Sequence, residues 1–255
     1  MIAMEGGHGV DAPPGWSGPV GALLLDLDGT LIDTDAAVTR AVAASFGPLV
    51  GDLDDDAAQA LALTWLADRD GWFHRYEAGE IDFAEQRRRR YLQVAAELGL
   101  GIDQYAAWEP AYVSALIGGT AGYPDTVAFL DAVADLPVAI VTNVDTAVQL
   151  EKLAVAGLAE RFPVVVGVDA AAAPKPDPAP FLAACELLGA TPSTAVHVGD
   201  SWSADVLGAV GAGLRAIWLD RGDTGAGREL PPGVWRVGGL PEVPPMLRSW
   251  GVRAT

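Results

Sequence analysis

Two aspartates one residue apart, Asp26 and Asp28, close the run Ala22-Leu23-Leu24-Leu25-Asp26-Leu27-Asp28-Gly29-Thr30. The apolar residues before them predict a buried strand. Alternate strand side chains share a face, so both carboxyls would lie on one side if extension continued, and Gly29 then lets the chain turn sharply. Two carboxylates about 4 Å apart repel by roughly 4 kcal/mol at an effective dielectric near 20. Such a pair needs a cation, a shared proton or an outward turn of one group. Taken alone, the D-x-D-G run is also what a strand end with two solvated aspartates and a turn glycine looks like.

Further polar residues fall where other apolar strands should end. Val138-Ala139-Ile140-Val141 runs into Thr142 and Asn143, Lys175 lies between Pro174 and Pro176 after a strand expected over Phe162–Gly167, and Ala195-Val196-His197-Val198 runs into Gly199 and Asp200, with Asp205 five residues on. Each has a plain alternative: an Asx-type turn at Thr142-Asn143, a solvated loop charge at Lys175, a simple turn at Gly199-Asp200-Ser201. His197, inside its strand, reads as a satisfied core histidine, and Trp202 as a packing residue. Four loops that deliver carboxylates, a hydroxyl, an amide and one ammonium to the carboxyl edge of one sheet nevertheless describe a ligand crevice.

The elements that must position these residues follow from periodicity and caps. From Pro124 onward short β-rich apolar runs alternate with helices. Asp145 is the expected cap of a helix reaching about Ala156 with Gly157 at its end, Asp177 and Pro178 open another that stops at Gly189, a third starts near Ser203, and Arg215–Leu219 is a further strand. This pattern predicts a parallel Rossmann-like sheet covered by helices on both faces. The Gly- and Pro-rich tail from Asp220 is expected to wrap the core with little regular structure. Residues 1–19 read as a loose leader containing His8 and Trp16, with Met4 an equally good start.

Between about Asp35 and Gly119 the composition is helical, so residues 35–119 are expected to form a small all-helical unit, with 20–34 and 120–255 making the α/β core. The clearest helix is Asp82 to Leu98, where Asp82 caps, Glu85 sits at the capping-box position and Gly99 stops it. Its apolar stripe is Tyr91, Val94, Ala95 and Leu98, extended by Phe83 and Ala84. Arg87 falls inside that stripe, Arg88 and Arg90 at its edges and Arg89 opposite. An inward arginine needs a partner, either Glu77, Glu80 or another carboxylate of the unit, or else the leaving group of a ligand. Trp65, Trp72 and Trp108 are expected to fill the helical core.

The formal charge of -18 excludes a general basic surface for nucleic acid, so an anionic ligand must be held by a local site or a metal. Apolar residues make up 51% of the 255, enough for a large core. The single cysteine, Cys185, on an apolar helix, reads as a small buried hydrophobe. No apolar run is long enough to span a bilayer and no basic-then-apolar leader is present, which makes a cytoplasmic, membrane-free protein the expectation.

In order and spacing the set D-x-D-G-T at Asp26–Thr30, an apolar strand ending at Thr142, Lys175, and G-D-x-x-x-x-D at Gly199–Asp205 resembles the haloacid dehalogenase-like hydrolase superfamily over roughly Val20 to Leu219. The helical insert matches the cap that many members place after the first motif. The resemblance implies a phosphatase-type member: Asp26 as nucleophile, Asp28 as general acid and base, and Mg²⁺ held by Asp26, Asp200 and the backbone carbonyl of Asp28. Thr142, Lys175 and the backbone N–H of Asn143 would hold the phosphoryl oxygens, with Asp205 orienting Lys175 or a metal-bound water. It also implies a small phosphorylated metabolite as substrate and a monomer or homodimer. Arg87 is the candidate for substrate selection. Alternatives are a phosphosugar mutase, a haloacid dehalogenase, and a non-catalytic phosphate-binding module.

Overall fold

The computed structural model describes residues 18–51, 53–171 and 173–251. The expected leader, with Met4, His8 and Trp16, lies outside these residues except for Gly18 and Pro19, both exposed. The chain opens with strand β1 (Ala22–Leu25), fully buried, and then crosses into five helices. These are α1 (Thr34–Val50), α2 (Asp55–Ala67), α3 (Trp72–Glu77), α4 (Phe83–Glu97) and α5 (Tyr105–Gly118). The remainder alternates: α6 (Thr126–Ala132), β2 (Val138–Val141), α7 (Thr146–Val155), β3 (Val164–Val166), α8 (Ala179–Leu187) and β4 (Ala195–Gly199). A π-helical turn at Trp202–Leu207 leads into α9 (Gly208–Gly211), followed by β5 (Arg215–Leu219), β6 (Val234–Val237) and α10 (Val243–Ser249).

The six strands form one parallel sheet in the order β3-β2-β1-β4-β5-β6. Leu23 sits opposite Val138 on one side and Val196 on the other, so β1 is central, and the chain winds away from it in both directions. The crevice of such a sheet lies at the carboxyl ends of the strands where the winding reverses, beside β1 and β4. Strand alternation divides the core as the apolar pattern requires. Leu23 and Leu25 pack with Ile140, Val198, Phe129 and Leu247 on one face, and Ala22 and Leu24 with Val141, Phe181 and Cys185 on the other. Burial pushes the Cys185 thiol up to about 11, as suits an inert hydrophobe.

The helical region has its own core. Trp108 stands at its centre, its ring 4.7 to 5.8 Å from those of Phe46, Trp65, Tyr91, Tyr105 and Tyr112. Trp65 and Trp108 are buried as expected, whereas Trp72 is only half-buried. Asp82 caps α4 by accepting from the Glu85 N–H at 2.7 Å, but Glu85 binds Arg88 and Arg89 rather than closing a capping box. Tyr91, Val94 and Ala95 face inward, Leu98 is half-buried, and Ala84 is exposed while Gln86 takes the inward place. The chain enters and leaves this region side by side, with Asp33 N–H donating to Ala121 O and Tyr123 N–H to Leu31 O, both at 3.0 Å.

Two local expectations need correction. The tail from Asp220 is not irregular: β6 extends the sheet and α10 packs Val243 and Leu247 into the core. Asp145 precedes α7 without a side-chain cap bond; Asp169, from the loop after β3, accepts from Thr146 N and Oγ1 at 2.7 Å instead. Among the described residues no helix is long and apolar enough to cross a membrane.

Asp220 anchors the turn between β5 and β6. Its carboxylate accepts from Thr224 N and Oγ1, Gly225 N and Arg236 Nε at 2.8 to 2.9 Å. Burial opposes its charge, but these donors prevail and hold its pKa at about 2. Because the folded value lies below the ordinary 3.8, this stabilisation is present above that pH and lost as pH falls towards 2. Asp220→Ala is therefore expected to cost about 1–3 kcal/mol in urea unfolding at pH 7. The gap between variant and wild type should close as pH is lowered through that window.

Candidate active site

The end of β1 delivers Asp26 to the floor of the crevice, where it is buried. Lys175, itself 2% exposed, places its Nζ 2.7 Å from Asp26 Oδ1, 2.6 Å from Asp205 Oδ1 and 2.8 Å from the Val141 carbonyl, which uses all three ammonium hydrogens. Asp205 also accepts from Ser201 N at 2.9 Å and faces His197 Nε2 at 3.0 Å. His197 is thus in the core, stacked edge-on against Phe181, but it is not fully satisfied: its Nδ1 is buried without a partner among the described residues. Burial lowers its pKa, so the neutral ring donates to Asp205.

Asp28 takes a different environment. Thr34 Oγ1 (2.9 Å) and Lys152 Nζ (2.6 Å) donate to its Oδ1, and Gln149 Nε2 (2.7 Å) to its Oδ2. The same Gln149 Nε2 lies 2.7 Å from Thr142 Oγ1. Burial would raise the Asp28 pKa, but the Lys152 charge and these bonds hold the carboxyl below its usual range. Gln149 and Lys152 went unnoticed in the sequence. The i, i+3 spacing puts both on one side of α7, but their types give no sign whether that side meets solvent or the rim.

Asp200, after β4, reaches back over Gly29. A Cβ on Gly29 would stand 2.6 Å from Asp200 Oδ2, and its φ of +80° is one that side-chain-bearing residues rarely adopt. Thr30 Oγ1 donates to Asp200 Oδ1 at 3.2 Å. Asp26, Asp200 and Asp205 each offer an oxygen within 4.8 Å of the others. The residue Asp200 is exposed, but crowding around its carboxyl, and then the Asp205 charge, push its pKa up to about 7. Burial, with Asp205 and Asp200, raises Asp26 well above the carboxylate range despite Lys175. Asp205, with the most donors, is held well below it. These carboxyls lack positive charge, and hard oxygen donors of this kind fit a divalent cation such as Mg²⁺. Since Lys175, His197 and Ser201 occupy Asp205, the free capacity lies on Asp26 and Asp200.

Thr142 and Asn143 are buried beside this cluster and line a cavity of about 230 Å³ together with Asp26, Lys175 and Asp200. The Asn143 amide brackets the Lys175 backbone, with Nδ2 donating to Lys175 O (2.9 Å) and Oδ1 accepting from Lys175 N (2.7 Å). A larger cavity, about 540 Å³, lies between the rim at Asp28, Gly29 and Asp200 and the helical region, where Arg87 reaches it. Arg87 Nη1 stands 3.5 Å from Glu109 Oε1; the Glu77 side chain lies outside the described residues. Arg90, expected at the stripe's edge, is the deeper of the two, its guanidinium over the Trp65 ring. The structure thus gathers Asp26, Asp28, Thr142, Asn143, Lys175, Asp200 and Asp205 at one rim and sets Arg87 across a cavity from them. Trp202 packs edge-on against Trp218, as expected.

A family model for haloacid dehalogenase-like hydrolases matches residues 20–213. A phosphoserine phosphatase of Thermus thermophilus is 34% identical over 249 residues, covering 87% of this chain and 96% of the relative. Among solved structures, the HAD-hydrolase YfnB of Bacillus subtilis, bound to magnesium, superposes with a TM-score of 0.78 at 22% identity, covering 91% of this chain and all of that one. The L-2-haloacid dehalogenase of Xanthobacter autotrophicus superposes with a TM-score of 0.69 at 23% identity, covering 90% and 98%. At these identities the two structures speak for the fold.

Removing the ammonium while keeping the carboxyls tests how the cluster is balanced. Lys175→Met should cost about 3–5 kcal/mol in chelator-containing buffer at neutral pH, measured by denaturant unfolding, because Asp26 and Asp205 are then left facing each other. Adding Asp205→Asn to that variant should recover part of the loss.

Proposed function

The chain belongs to the haloacid dehalogenase-like hydrolase family, and on that premise we propose that it is a Mg²⁺-dependent phosphatase that cleaves a small phosphomonoester through an aspartyl-phosphate on Asp26. The observation that carries the proposal is the gathering of Asp26, Asp200 and Asp205 at the rim, each offering an oxygen within 4.8 Å of the others, where burial and then the neighbouring carboxylates raise Asp26 and Asp200 despite Lys175. A dehalogenase, which breaks a carbon–halogen bond without protonating a leaving group, has no use for a second aspartate or a cation. The phosphoserine phosphatase of Thermus thermophilus supports the same choice.

In this mechanism Lys175 fixes Asp26 by one oxygen and leaves the other to attack phosphorus. Thr142 Oγ1 and the Asn143 N–H would meet phosphoryl oxygens, and Lys175 would share its charge with them. Asp28 would protonate the departing alkoxide and later take a proton from the water that cleaves the acyl-phosphate, a contribution of about 10² to 10⁴-fold. Held by Thr34, Gln149 and Lys152, it is kept below the usual carboxylate range, so the proton it gives to the alkoxide would have to arrive with the phosphomonoester monoanion or from solvent, after which the carboxylate is free to take the proton from water. Asp26, Asp200 and the Asp28 carbonyl would hold the metal, which when bound would supply positive charge against the phosphoryl group. The helices of residues 35–119 would act as the cap that closes over the substrate.

Wild-type protein should release p-nitrophenol from p-nitrophenyl phosphate with Mg²⁺ and stop on addition of EDTA. Asp26→Asn should lower kcat about 10⁴-fold or more without lowering Tm. Turnover of an L-2-haloacid that persists in EDTA, with no phosphate ester cleaved, would reverse the assignment.

A further inference from the structure

The wall of the 540 Å³ cavity opposite the aspartates carries polar groups that the chemistry above leaves unused. Gln86, Arg87 and Arg90 all line it from α4, and the spacings i, i+3 and i, i+4 put them on neighbouring turns. Gln86 is 2% exposed, yet its Oε1 has no hydrogen-bond partner among the described residues. Arg90 spends one Nη2 hydrogen on the Trp65 carbonyl at 2.9 Å, while its Nε is buried and unpaired. Arg87 makes a long contact to Glu109 at 3.5 Å and lies over the Phe83 ring.

The two guanidiniums have carboxylate neighbours only at long range, Glu109 at 3.5 Å from Arg87 Nη1 and Asp68 at 3.9 Å from Arg90 Nε. Asp68 accepts from the N–H groups of Trp72 (3.0 Å) and Phe73 (2.8 Å) and stays 3.9 Å from Arg90 Nε. Asp28 is matched by Lys152, Asp200 faces the rim, and Asp35 is exposed. Burial lowers the Arg90 pKa, Tyr112 and Asp68 restore part of it and the like charge of Arg87 works against them, so an anion between the two arginines would be favourable. A buried guanidinium N–H and a buried amide oxygen, each without a hydrogen bond among the described residues, are costly without a ligand.

We propose that Gln86, Arg87 and Arg90 form a carboxylate subsite, so that the substrate is the phosphomonoester of a small hydroxy acid. The proposal rests on the phosphatase assignment above. A planar carboxylate offers two oxygens in the geometry that guanidinium forks match, which a hydroxyl or a methyl group does not. Gln86 Oε1 would then accept from a hydroxyl or ammonium beside that carboxylate. Trp65, Phe73 and Phe83 border the same cavity, so the carbon chain between the phosphoryl group at the rim and the acid at α4 would lie against aromatic rings.

The test pairs each phosphorylated acid with its analogue lacking the carboxyl group. The pairs are 3-phosphoglycerate with glycerol 3-phosphate, O-phosphoserine with phosphoethanolamine, and 2-phosphoglycolate with ethyl phosphate. In wild type, kcat/KM should favour the acid by roughly 10- to 100-fold in at least one pair, the value of a charged hydrogen bond. Arg87→Gln and the charge-keeping Arg90→Lys should each shrink that ratio, while Arg89→Gln, on the far side of α4 and paired with Glu85, should leave it alone. D-glycerate, but not glycerol, should raise the Tm of wild type in chelator, a readout that needs no turnover. Ratios near one in all three pairs while p-nitrophenyl phosphate is still hydrolysed, or a preference for a sugar bisphosphate over every acid, would overturn the proposal. Absence of p-nitrophenyl phosphate hydrolysis would instead remove the phosphatase assignment, and this proposal with it.

Discussion

One ammonium group holds the rim together. Lys175 Nζ is bonded at once to the residue that ends β1, to the last carbonyl of β2 and to a carboxylate from the turn after β4, so three loops share a single buried charge. One positive charge cannot serve three carboxyls equally, and the surroundings decide how it is divided. Asp205, which also has His197 and the Ser201 N–H, keeps its negative charge, while Asp26, with fewer donors, rises. The imbalance leaves the group at the end of β1 in want of a further cation. In water the same cluster would be unremarkable, but in a poorly polarisable interior a missing charge is felt in full.

Asp28, two residues on, belongs to a second and nearly independent balance. Leu27 is buried between them, and the turn at Gly29 sends Asp28 toward α7, where Lys152 supplies its countercharge. The two aspartates therefore lessen the repulsion their spacing suggests by bonding different lysines, Asp28 to Lys152 and Asp26 to the Lys175 it shares with Asp205. Gln149 is the link between the halves, since one amide nitrogen touches both Asp28 and Thr142 and spends both its hydrogens doing so. The Asp28 carboxyl and the Thr142 hydroxyl are thereby fixed relative to each other by a helix outside the crevice.

The rim was legible because it is built at strand ends, where apolar runs stop and the polar residue that follows has one place to go. Asp26, Thr142 and Asp200 follow strands directly, whereas Lys175, in the loop beyond β3, joined them only through the order and spacing of the whole set. Lys152 and Gln149 could not be placed, because on a helix surface a lysine and a glutamine look the same whether they face solvent or a buried carboxylate. Arg90 shows the same limit: periodicity put it at the edge of a stripe, and only the packing of α2, with the Trp65 ring and carbonyl over its guanidinium, buries it more deeply than Arg87. Strand β6 escaped notice because Val234–Val237 is a short run inside a Gly- and Pro-rich segment, and its pairing with β5 is a long-range fact.

The helical region and the rim are joined at a telling place. Tyr76, from α3, donates its hydroxyl to the Asn143 carbonyl at 2.8 Å, and the Asn143 side chain clamps the backbone of Lys175 on both sides. A displacement of α3 would pull on the residue that positions the ammonium, so the roof of the large cavity and the charge at its floor are mechanically connected. This matters for an acidic protein with a net charge of -18, whose distant field would repel the anionic substrate proposed for it. Attraction can come only from charges close to the ligand, and those are few: Lys175 and Lys152 below, Arg87 and Arg90 above. Because the far field is screened by salt within about 10 Å while a dry, enclosed charge is not, affinity for an anion depends on how completely the helices close that cavity.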